Sequence, residues 1–128
     1  MRQKTFILLP MDFLWPMKNK IVLVPFPFDD LTGTKLRPAL CLTDPIGIYD
    51  HLVICFITSQ VAKATESSDL PILAIDSDFK STGLKTDSAI RLHRLVTIPL
   101  YLIHRQLGIL PVTYQQLVEK KLRELFEL

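Results

Sequence analysis

The chain has few of the residues that build metal sites, disulfide frameworks or membrane spans. It contains two cysteines and three histidines among 128 residues. Cys41 and Cys55 stand apart in apolar runs, with no CxxC pair and no Cys/His cluster. This pattern predicts two buried, reduced thiols and no bound metal. No apolar run approaches the roughly 20 residues that cross a bilayer, so we expect a cytoplasmic protein without a membrane segment.

Signatures of the common enzyme classes are also missing. The sequence has no P-loop, no GxGxxG, no GxSxG and no HExxH. Metal chemistry and nucleotide cofactors are therefore not expected, and we predict no cofactor at all. Charge gives little direction, because 15 basic and 13 acidic residues leave a net charge of only +2. Any case for nucleic-acid binding must come from local groups of residues.

What the sequence does contain is an ordinary globular balance, with 48% apolar and 22% charged residues. That length and composition predict one domain with a core of its own. Near the start, Pro10 and Asp12 interrupt an apolar run. We therefore treat residues 1–17 as a weakly specified N-terminal extension and residues 18–128 as the folded domain.

Short β-branched runs separated by turn residues dominate the chain. Strands are predicted over Lys20–Phe26, Pro38–Thr43, His51–Thr58, Leu70–Ile75 and Ser88–Ile98. The unbroken apolarity of His51–Thr58 indicates the centre of the sheet. Pro38 indicates an edge or the first residues of a strand, and Pro71 indicates an edge strand, because proline cannot donate to the ladder. Ser88–Ile98 fits one long strand or two short ones.

The end of the chain is predicted to be helical. Residues 101–110 fit either a strand or a helix, and we favour a last short strand ending near Gly108. From Thr113 onward apolar residues recur at helical spacing, and Thr113 with Gln116 forms a capping box. Five to seven short antiparallel strands with one C-terminal helix predict a mostly β fold, built as a coiled sheet or small barrel.

Candidate functional groups surround the point where the first loop returns to the sheet. They are the basic, hydroxyl and amide side chains Lys35, Arg37, Thr58, Ser59 and Gln60. Arg37 follows a glycine-containing loop, from which a guanidinium can bind phosphate oxygens bidentately. The alternative for Arg37 is a surface salt bridge with Asp29 or Asp30. Thr58 ends the central strand, where a side chain either projects into a site or simply makes a turn.

Histidines and aromatic residues are further candidates. The histidines are His51, His93 and His104. Imidazole titrates nearest neutrality, so any of the three could transfer a proton. His93 is the strongest histidine candidate, because Arg91 and Arg94 flank it. Strand alternation also places Arg91 and His93 on the same face of the strand. The aromatic candidates, each close to a proline or a turn, are Phe26, Phe28 and Tyr49. Such rings either stack on bases or pack at the rim of a core.

Four blocks of sequence follow one another along the chain. They are Ile21-Val-Leu-Val-Pro-Phe-Pro-Phe with Asp30-Leu-Thr-Gly-Thr-Lys-Leu-Arg-Pro-Ala-Leu, then Ile54-Cys-Phe-Ile-Thr-Ser-Gln, then Gly83-Leu-Lys-Thr-Asp-Ser-Ala-Ile-Arg, and Gly108-Ile-Leu-Pro-Val-Thr before the helix. Together they resemble the signature blocks of the PemK/MazF family of toxins over about residues 18–128. The chain departs from the family pattern in two places. Asn19-Lys20 replaces the usual Gly-Asp, and Arg91 stands where some members have an acidic residue.

The resemblance implies an SH3-like barrel with a C-terminal helix, normally a homodimer. The family's activity is metal-independent cleavage of single-stranded RNA, usually mRNA, and a cognate antitoxin occludes the active site. By position, Arg37 matches the catalytic arginine of the family and Thr58 the threonine of its second block. Ser59 and Gln60 match neighbouring positions. We expect the RNA contacts to be Phe28, Lys35, Ser59, Gln60, Arg91 and His93.

In the implied mechanism a ribose 2′-OH attacks its own 3′ phosphate, leaving a 2′,3′-cyclic phosphate and a 5′-OH. Arg37 neutralises charge on the phosphoryl oxygens and Thr58 donates a hydrogen bond to them. Two other functions stay open. One is a toxin of the same barrel type that poisons DNA gyrase without being an enzyme, and the other is a barrel that has lost catalysis and only binds RNA or a protein partner.

Overall fold

Six β-strands and one α-helix make up the residues that the computed structural model describes, 16–26 and 35–128. They are β1 (Lys20–Pro25), β2 (Leu36–Cys41), β3 (His51–Thr58), β4 (Asp69–Ile72), β5 (Ser88–Pro99), β6 (Arg105–Ile109) and α1 (Val112–Phe126). Short 3₁₀ turns lie at Val61–Lys63, Phe79–Thr82 and Leu100–Leu102. The mostly β class with a C-terminal helix, predicted from the sequence, is confirmed.

The strands form one antiparallel sheet in the order β4-β5-β3-β2-β1-β6, curled into a half-barrel. The apolar strand β3 lies inside the sheet and β4, with Pro71, lies at its edge, as predicted. Pro38 pairs with Leu23 of β1, whereas pairing of β2 with β3 begins only at Ala39. Pro38 therefore occupies a stretch with one neighbouring strand, as its missing N–H requires.

Each face of the sheet packs its own apolar cluster, because successive residues of a strand point to opposite faces. The first cluster includes Val22, Val24, Ala39, Cys41, Leu52 and Ile54. The second includes Ile21, Leu40, Cys55, Ile57, Ile90 and Leu92. Val118, Tyr114 and Leu122 of α1 pack against the second cluster. The amphipathic helix therefore docks on that face, as its spacing predicted.

Strand β5 carries a large bulge opposite the end of β3. While β3 advances from Cys55 to Ile57, β5 runs from Leu95 back to Ile90. Over this stretch β5 advances by five residues and β3 by two, so β5 contains three extra residues. The alternation reverses across the bulge, because Ile90 before it and Leu95 after it both pack in the second cluster although they are five residues apart. A bulge of this kind re-aims the side chains within it.

Two details of the C-terminal region differ from the sequence prediction. Pro111, not Thr113, is the N-cap of α1, and no side-chain hydrogen bond caps it. The predicted capping box is therefore wrong, and Thr113 lies inside the first turn. Residues 101–110 do contain a strand, but it begins only at Arg105, because Leu100–Leu102 forms a 3₁₀ turn that buries Leu100.

Both thiols are free and buried, as predicted. Burial raises the pKa of the Cys41 thiol to about 12 and also raises the pKa of Cys55. Met17, which we assigned to the extension, is fully buried in the first cluster. The division of the chain at residue 17 remains a prediction. In the described part of the chain, no helix has the length and apolar character of a membrane span.

Candidate functional site

The sheet register brings Arg37 and Thr58 together. Strands β2 and β3 pair through Leu40 with Cys55 and Ala39 with Phe56. Continued for two residues beyond the last observed pair, the same register would set Arg37 across from Thr58. Both side chains line a pocket of about 190 Å³ at the end of the first apolar face, which we call the Arg37 pocket.

The Arg37 pocket is cationic. Its basic side chains are Arg37, Lys63, Arg91 and Arg94. Phe26, Phe56, Thr58 and Gln60 also line it, and among the described lining residues none carries a carboxylate. Several positive charges around a small concave surface favour an anion such as a phosphate group.

Two aromatic rings support the guanidinium groups. The Phe26 and Phe56 rings meet edge to face, with centroids 4.4 Å apart. The guanidinium carbon of Arg37 lies 5.3 Å from the Phe26 centroid, and that of Arg94 lies 5.9 Å from it. Both distances fall within the range of cation–π attraction. Phe26 therefore holds two arginine side chains beside the same ring.

Arg37 has a buried donor without an acceptor among the described residues. Its Nε is shielded from solvent, and no acceptor within the described ranges lies at hydrogen-bond distance. A buried, unpaired donor costs about 1–3 kcal/mol, and more when it is charged. An anion bound in the pocket would remove that cost. The alternative partners Asp29 and Asp30 lie outside the described residues, so the salt-bridge interpretation of Arg37 is untested.

Thr58 and Ser59 point to different faces of the sheet. Thr58 Oγ1 accepts a hydrogen bond from the Gln60 backbone N–H at 3.0 Å, which leaves its own O–H free to donate. Ser59 lines a neighbouring pocket of about 420 Å³ that also contains Arg37, Lys85 and Arg105, which we call the Ser59 pocket. Strand alternation explains the separation. Arg37 lies between the two pockets and lines both.

Arg91 is held in a fixed orientation by a buried carboxylate. Its Nε donates to Asp69 Oδ1 at 2.9 Å and its Nη2 donates to Asp69 Oδ2 at 3.3 Å. The Asp69 side chain is only 1% exposed. The unusual arginine on β5 thus has its acid on the neighbouring strand β4, and Arg91 still lines the Arg37 pocket.

His93 is not brought to the Arg37 pocket. It lines a separate cleft of about 530 Å³ against α1, together with Ser68 and Lys121. His93 Nδ1 lies 2.7 Å from Ser68 Oγ. His51 stacks on Tyr49 with ring centroids 6.0 Å apart, at the opposite end of β3 from Thr58. Neither pair contributes to the Arg37 pocket.

The remaining candidates flank the first loop. Lys35 is exposed, and its backbone carbonyl accepts a hydrogen bond from the Phe26 N–H at 2.8 Å. Phe28 lies outside the described residues. In those residues, no three His, Cys, Asp or Glu side chains form a group that could hold a metal ion.

Sequence reasoning missed four residues of the Arg37 pocket: Phe56, Ile57, Lys63 and Arg94. Lys63 belongs to a 3₁₀ turn whose position follows only from the folded chain. Arg94 is an even number of residues from Ile90 and Leu92. In a regular strand its side chain would therefore lie on their apolar face. The sequence signal available was the pair of arginines, Arg91 and Arg94, on either side of His93. The direction of the Arg94 side chain follows only from the bulge.

The fold and the pocket define a small curled β protein with a cationic pocket at one end of its sheet. A family model for the PemK-like, MazF-like toxins of type II toxin-antitoxin systems matches residues 17–126. The chain belongs to this family, and so it is a PemK/MazF-like toxin of a toxin-antitoxin system. A search of curated proteins gives no match.

Solved structures share the fold. The Mycobacterium tuberculosis toxin MazF-mt6 superposes with a TM-score of 0.65 at 21% identity, covering 85% of this chain and 97% of that one. The MazE-MazF structure (Form-II) from Deinococcus radiodurans gives a TM-score of 0.63 at 19% identity, covering 87% and 94% respectively. At these identities the likeness is one of fold.

Proposed function

We propose that this toxin is a metal-independent endoribonuclease that cleaves single-stranded RNA, with mRNA as its substrate in the cell. The observation that carries the proposal is the buried Nε of Arg37, which has no partner within residues 16–26 and 35–128 and lies in a cationic pocket that also contains Thr58. A phosphodiester in the pocket would supply the missing acceptor. Family membership supports the same activity.

The proposed reaction uses a nucleophile that RNA itself supplies. The 2′-OH attacks the adjacent phosphorus and loses its proton, while the bond from phosphorus to the 5′ oxygen breaks and that oxygen gains a proton. The products are a 2′,3′-cyclic phosphate and a 5′-OH. Arg37 balances the charge that builds on the phosphoryl oxygens, and the Thr58 hydroxyl donates to one of them. A guanidinium keeps its proton at neutral pH, so electrostatic stabilisation is the role assigned to Arg37.

The other candidates are proposed to bind RNA around the scissile phosphate. Gln60 and Arg91 share the Arg37 pocket. Ser59 would contact a nucleotide in the pocket on the other side of Arg37, and His93 would act further away, in the cleft beside α1. Lys35 and Phe28 would contribute from the first loop.

The test is cleavage of a labelled single-stranded RNA by purified protein in EDTA, with no gyrase present. We expect Arg37→Ala to lower kcat by about 10²-fold or more, as removal of one oxyanion donor does in other enzymes. Arg37→Lys, which keeps the charge but not the forked geometry, should retain part of the activity. Arg123→Ala, an exposed arginine on α1, is the matched control.

Each of the other outcomes has a clear meaning. Full activity of Arg37→Ala in EDTA would contradict the mechanism. RNA binding without any product would identify a barrel that has lost catalysis. Toxicity that needs gyrase and leaves RNA intact would identify a gyrase poison.

We also propose that the toxin is a cytoplasmic homodimer, inhibited by a cognate antitoxin protein that covers the Arg37 pocket. The Deinococcus radiodurans structure is described as MazE-MazF, which supports an antitoxin as the partner. If the antitoxin covers the pocket, adding it should protect Arg37 and Arg94 from chemical modification of arginine. Unchanged modification in the inhibited complex would contradict this mode of inhibition.

A further inference from the structure

Arg94 has an environment unlike that of the other β5 arginine. Arg91 is tied bidentately to Asp69. Arg94 is exposed, and in the described parts of the chain no carboxylate lies within ion-pair distance of it. Its charge is therefore available to a ligand, whereas the charge of Arg91 is already balanced.

The bulge in β5 directs Arg94 into the Arg37 pocket. The extra residues of β5 lie between Ile90 and Leu95. Without the bulge, Arg94 would follow Ile90 and Leu92 into the second apolar cluster. With it, Arg94 lines the same pocket as Arg37. Bulges are known to re-aim side chains beside functional sites, and here the re-aimed group is a cation.

The guanidinium groups of Arg37 and Arg94, which have no carboxylate partner among the described residues, both lie beside the Phe26 ring. Their carbons lie 5.3 Å and 5.9 Å from the Phe26 centroid, so they are at most about 11 Å apart. That span is on the scale of a single nucleotide unit. Phe26 itself is only 4% exposed, so a ligand in the pocket meets the two guanidinium groups and not the ring.

From this geometry we infer that Arg94 binds a second phosphate, the one next to the scissile phosphate, so that RNA is held at two successive phosphates by guanidinium groups that share the Phe26 ring. The inference rests on the proposed function and names how the same site grips its substrate. Arg94 touches substrate but not the reacting atoms, so it contributes to binding and register more than to the chemical step.

The test is a thermodynamic cycle between Arg94 and individual phosphates. The substrate is an RNA oligonucleotide with a 2′-deoxyribose at the mapped cleavage site, which blocks cutting. In a series of such oligonucleotides, each phosphate in turn is replaced by an uncharged methylphosphonate. Binding of each is measured to the wild type, Arg94→Ala, Arg94→Lys and the control Arg123→Ala, with thermal melting to verify folding.

We expect neutralisation of one phosphate beside the scissile one to weaken wild-type binding roughly tenfold, the size of one hydrogen bond to a charged group. The same replacement should change binding to Arg94→Ala less than about twofold. Arg123→Ala should behave as wild type, and Arg94→Lys should keep part of the coupling. The salt dependence of Arg94→Ala binding should fall by about 0.7 in log–log slope, as loss of one phosphate contact from a single strand predicts.

Additive effects of Arg94→Ala and every phosphate replacement would overturn the inference. So would an equal loss of affinity in Arg123→Ala. If the wild type cuts RNA but the cycle is additive, only the role of Arg94 fails. If the wild type neither cuts nor binds RNA, the proposed function fails and the inference falls with it.

Discussion

At the scale of single residues, Arg37 and Thr58 divide the proposed work according to their chemistry. A half-buried guanidinium with a shielded Nε supplies positive charge, while a hydroxyl supplies one directed hydrogen bond. Thr58 Oγ1 already accepts from the Gln60 N–H. That bond fixes the oxygen and leaves its proton for a ligand, so the hydroxyl is oriented before substrate arrives.

Replacing Thr58 by valine should remove this donor while keeping the shape of the side chain. We expect Thr58→Val to lower kcat by about 10²-fold with little change in KM, because the bond strengthens as charge develops on the phosphoryl oxygen. Thr58→Ser should stay within about tenfold of wild type. Thr97→Val, an exposed threonine on β5, is the control. Wild-type kcat in Thr58→Val would show that the hydroxyl takes no part.

Asn19 departs from the family pattern but adopts a backbone conformation that favours glycine. It stands where the family usually has glycine, and its φ is +73°. Asparagine tolerates this left-handed region better than most residues. The Asn19 N–H donates to the Cys41 carbonyl at 2.8 Å, and its own carbonyl accepts from the Leu110 N–H at 2.9 Å. The start of β1 is therefore held in place without the glycine.

The buried thiols make a prediction about alkaline pH. Desolvation raises the pKa of Cys55 and raises that of Cys41 from 9.0 to about 12. Above pH 9 the unfolded chain loses thiol protons that the folded chain keeps, so this stabilising contribution is complete below pH 9 and declines as pH rises towards 12. The loss is on the order of 1 kcal/mol per thiol for each pH unit.

Urea unfolding of the wild type and Cys55→Ala at pH 8 and pH 10 tests this prediction. We expect the free energy of unfolding to fall with pH less steeply in the variant. Cys55 suits the comparison better than Cys41, whose titration is coupled to that of Lys20. Equal slopes in the two proteins would contradict the assigned cause.

At the scale of elements, the bulge in β5 limits how far the site could be predicted. Proline positions and alternation were enough to predict the central strand, the edge strand and the face that carries Arg91 and His93. Alternation assumes an unbroken ladder, and the extra residues opposite Phe56 break it. For this reason Arg94, one residue beyond His93, was missed although it lines the Arg37 pocket.

The contact between β6 and the 3₁₀ turn Phe79–Thr82 closes one side of the half-barrel. Ser81 Oγ donates to the Ile109 carbonyl at 3.3 Å. A Cβ on Gly108 would lie 2.2 Å from the Ser81 carbonyl oxygen. Backbone atoms cannot move aside cheaply, so the absence of a side chain at Gly108 permits this approach.

Gly108→Ala should therefore destabilise the fold by about 1–3 kcal/mol, as overpacking of a tight contact does. Gly47→Ala is a useful comparison, because a Cβ there meets nothing within 4 Å and only the positive φ of +73° opposes it. Thermal or urea unfolding of both variants measures the difference. A Gly108→Ala protein as stable as the wild type would mean that the strand and the turn separate easily.

At the scale of the whole molecule, the site is assembled from segments far apart in the chain. The Arg37 pocket combines the end of β1, the start of β2, the end of β3 and the bulge of β5. Composition and spacing predicted one mostly β domain, and the family resemblance singled out Arg37 and Thr58. The lining residue Lys63 and the separation of His93 from Arg37 depend on how distant strands pair, which local patterns do not record.

The central claim is that a guanidinium and a hydroxyl in one pocket promote attack by the RNA's own 2′-OH. The most direct measurement uses two oligonucleotides in EDTA that differ only by a 2′-deoxyribose at the mapped cleavage site. The wild type should cut the all-ribose strand to a 2′,3′-cyclic phosphate and a 5′-OH and leave the other intact, and Arg37→Ala should cut neither at an appreciable rate. Cleavage of the 2′-deoxy strand at that position, or equal cutting by Arg37→Ala, would contradict the account.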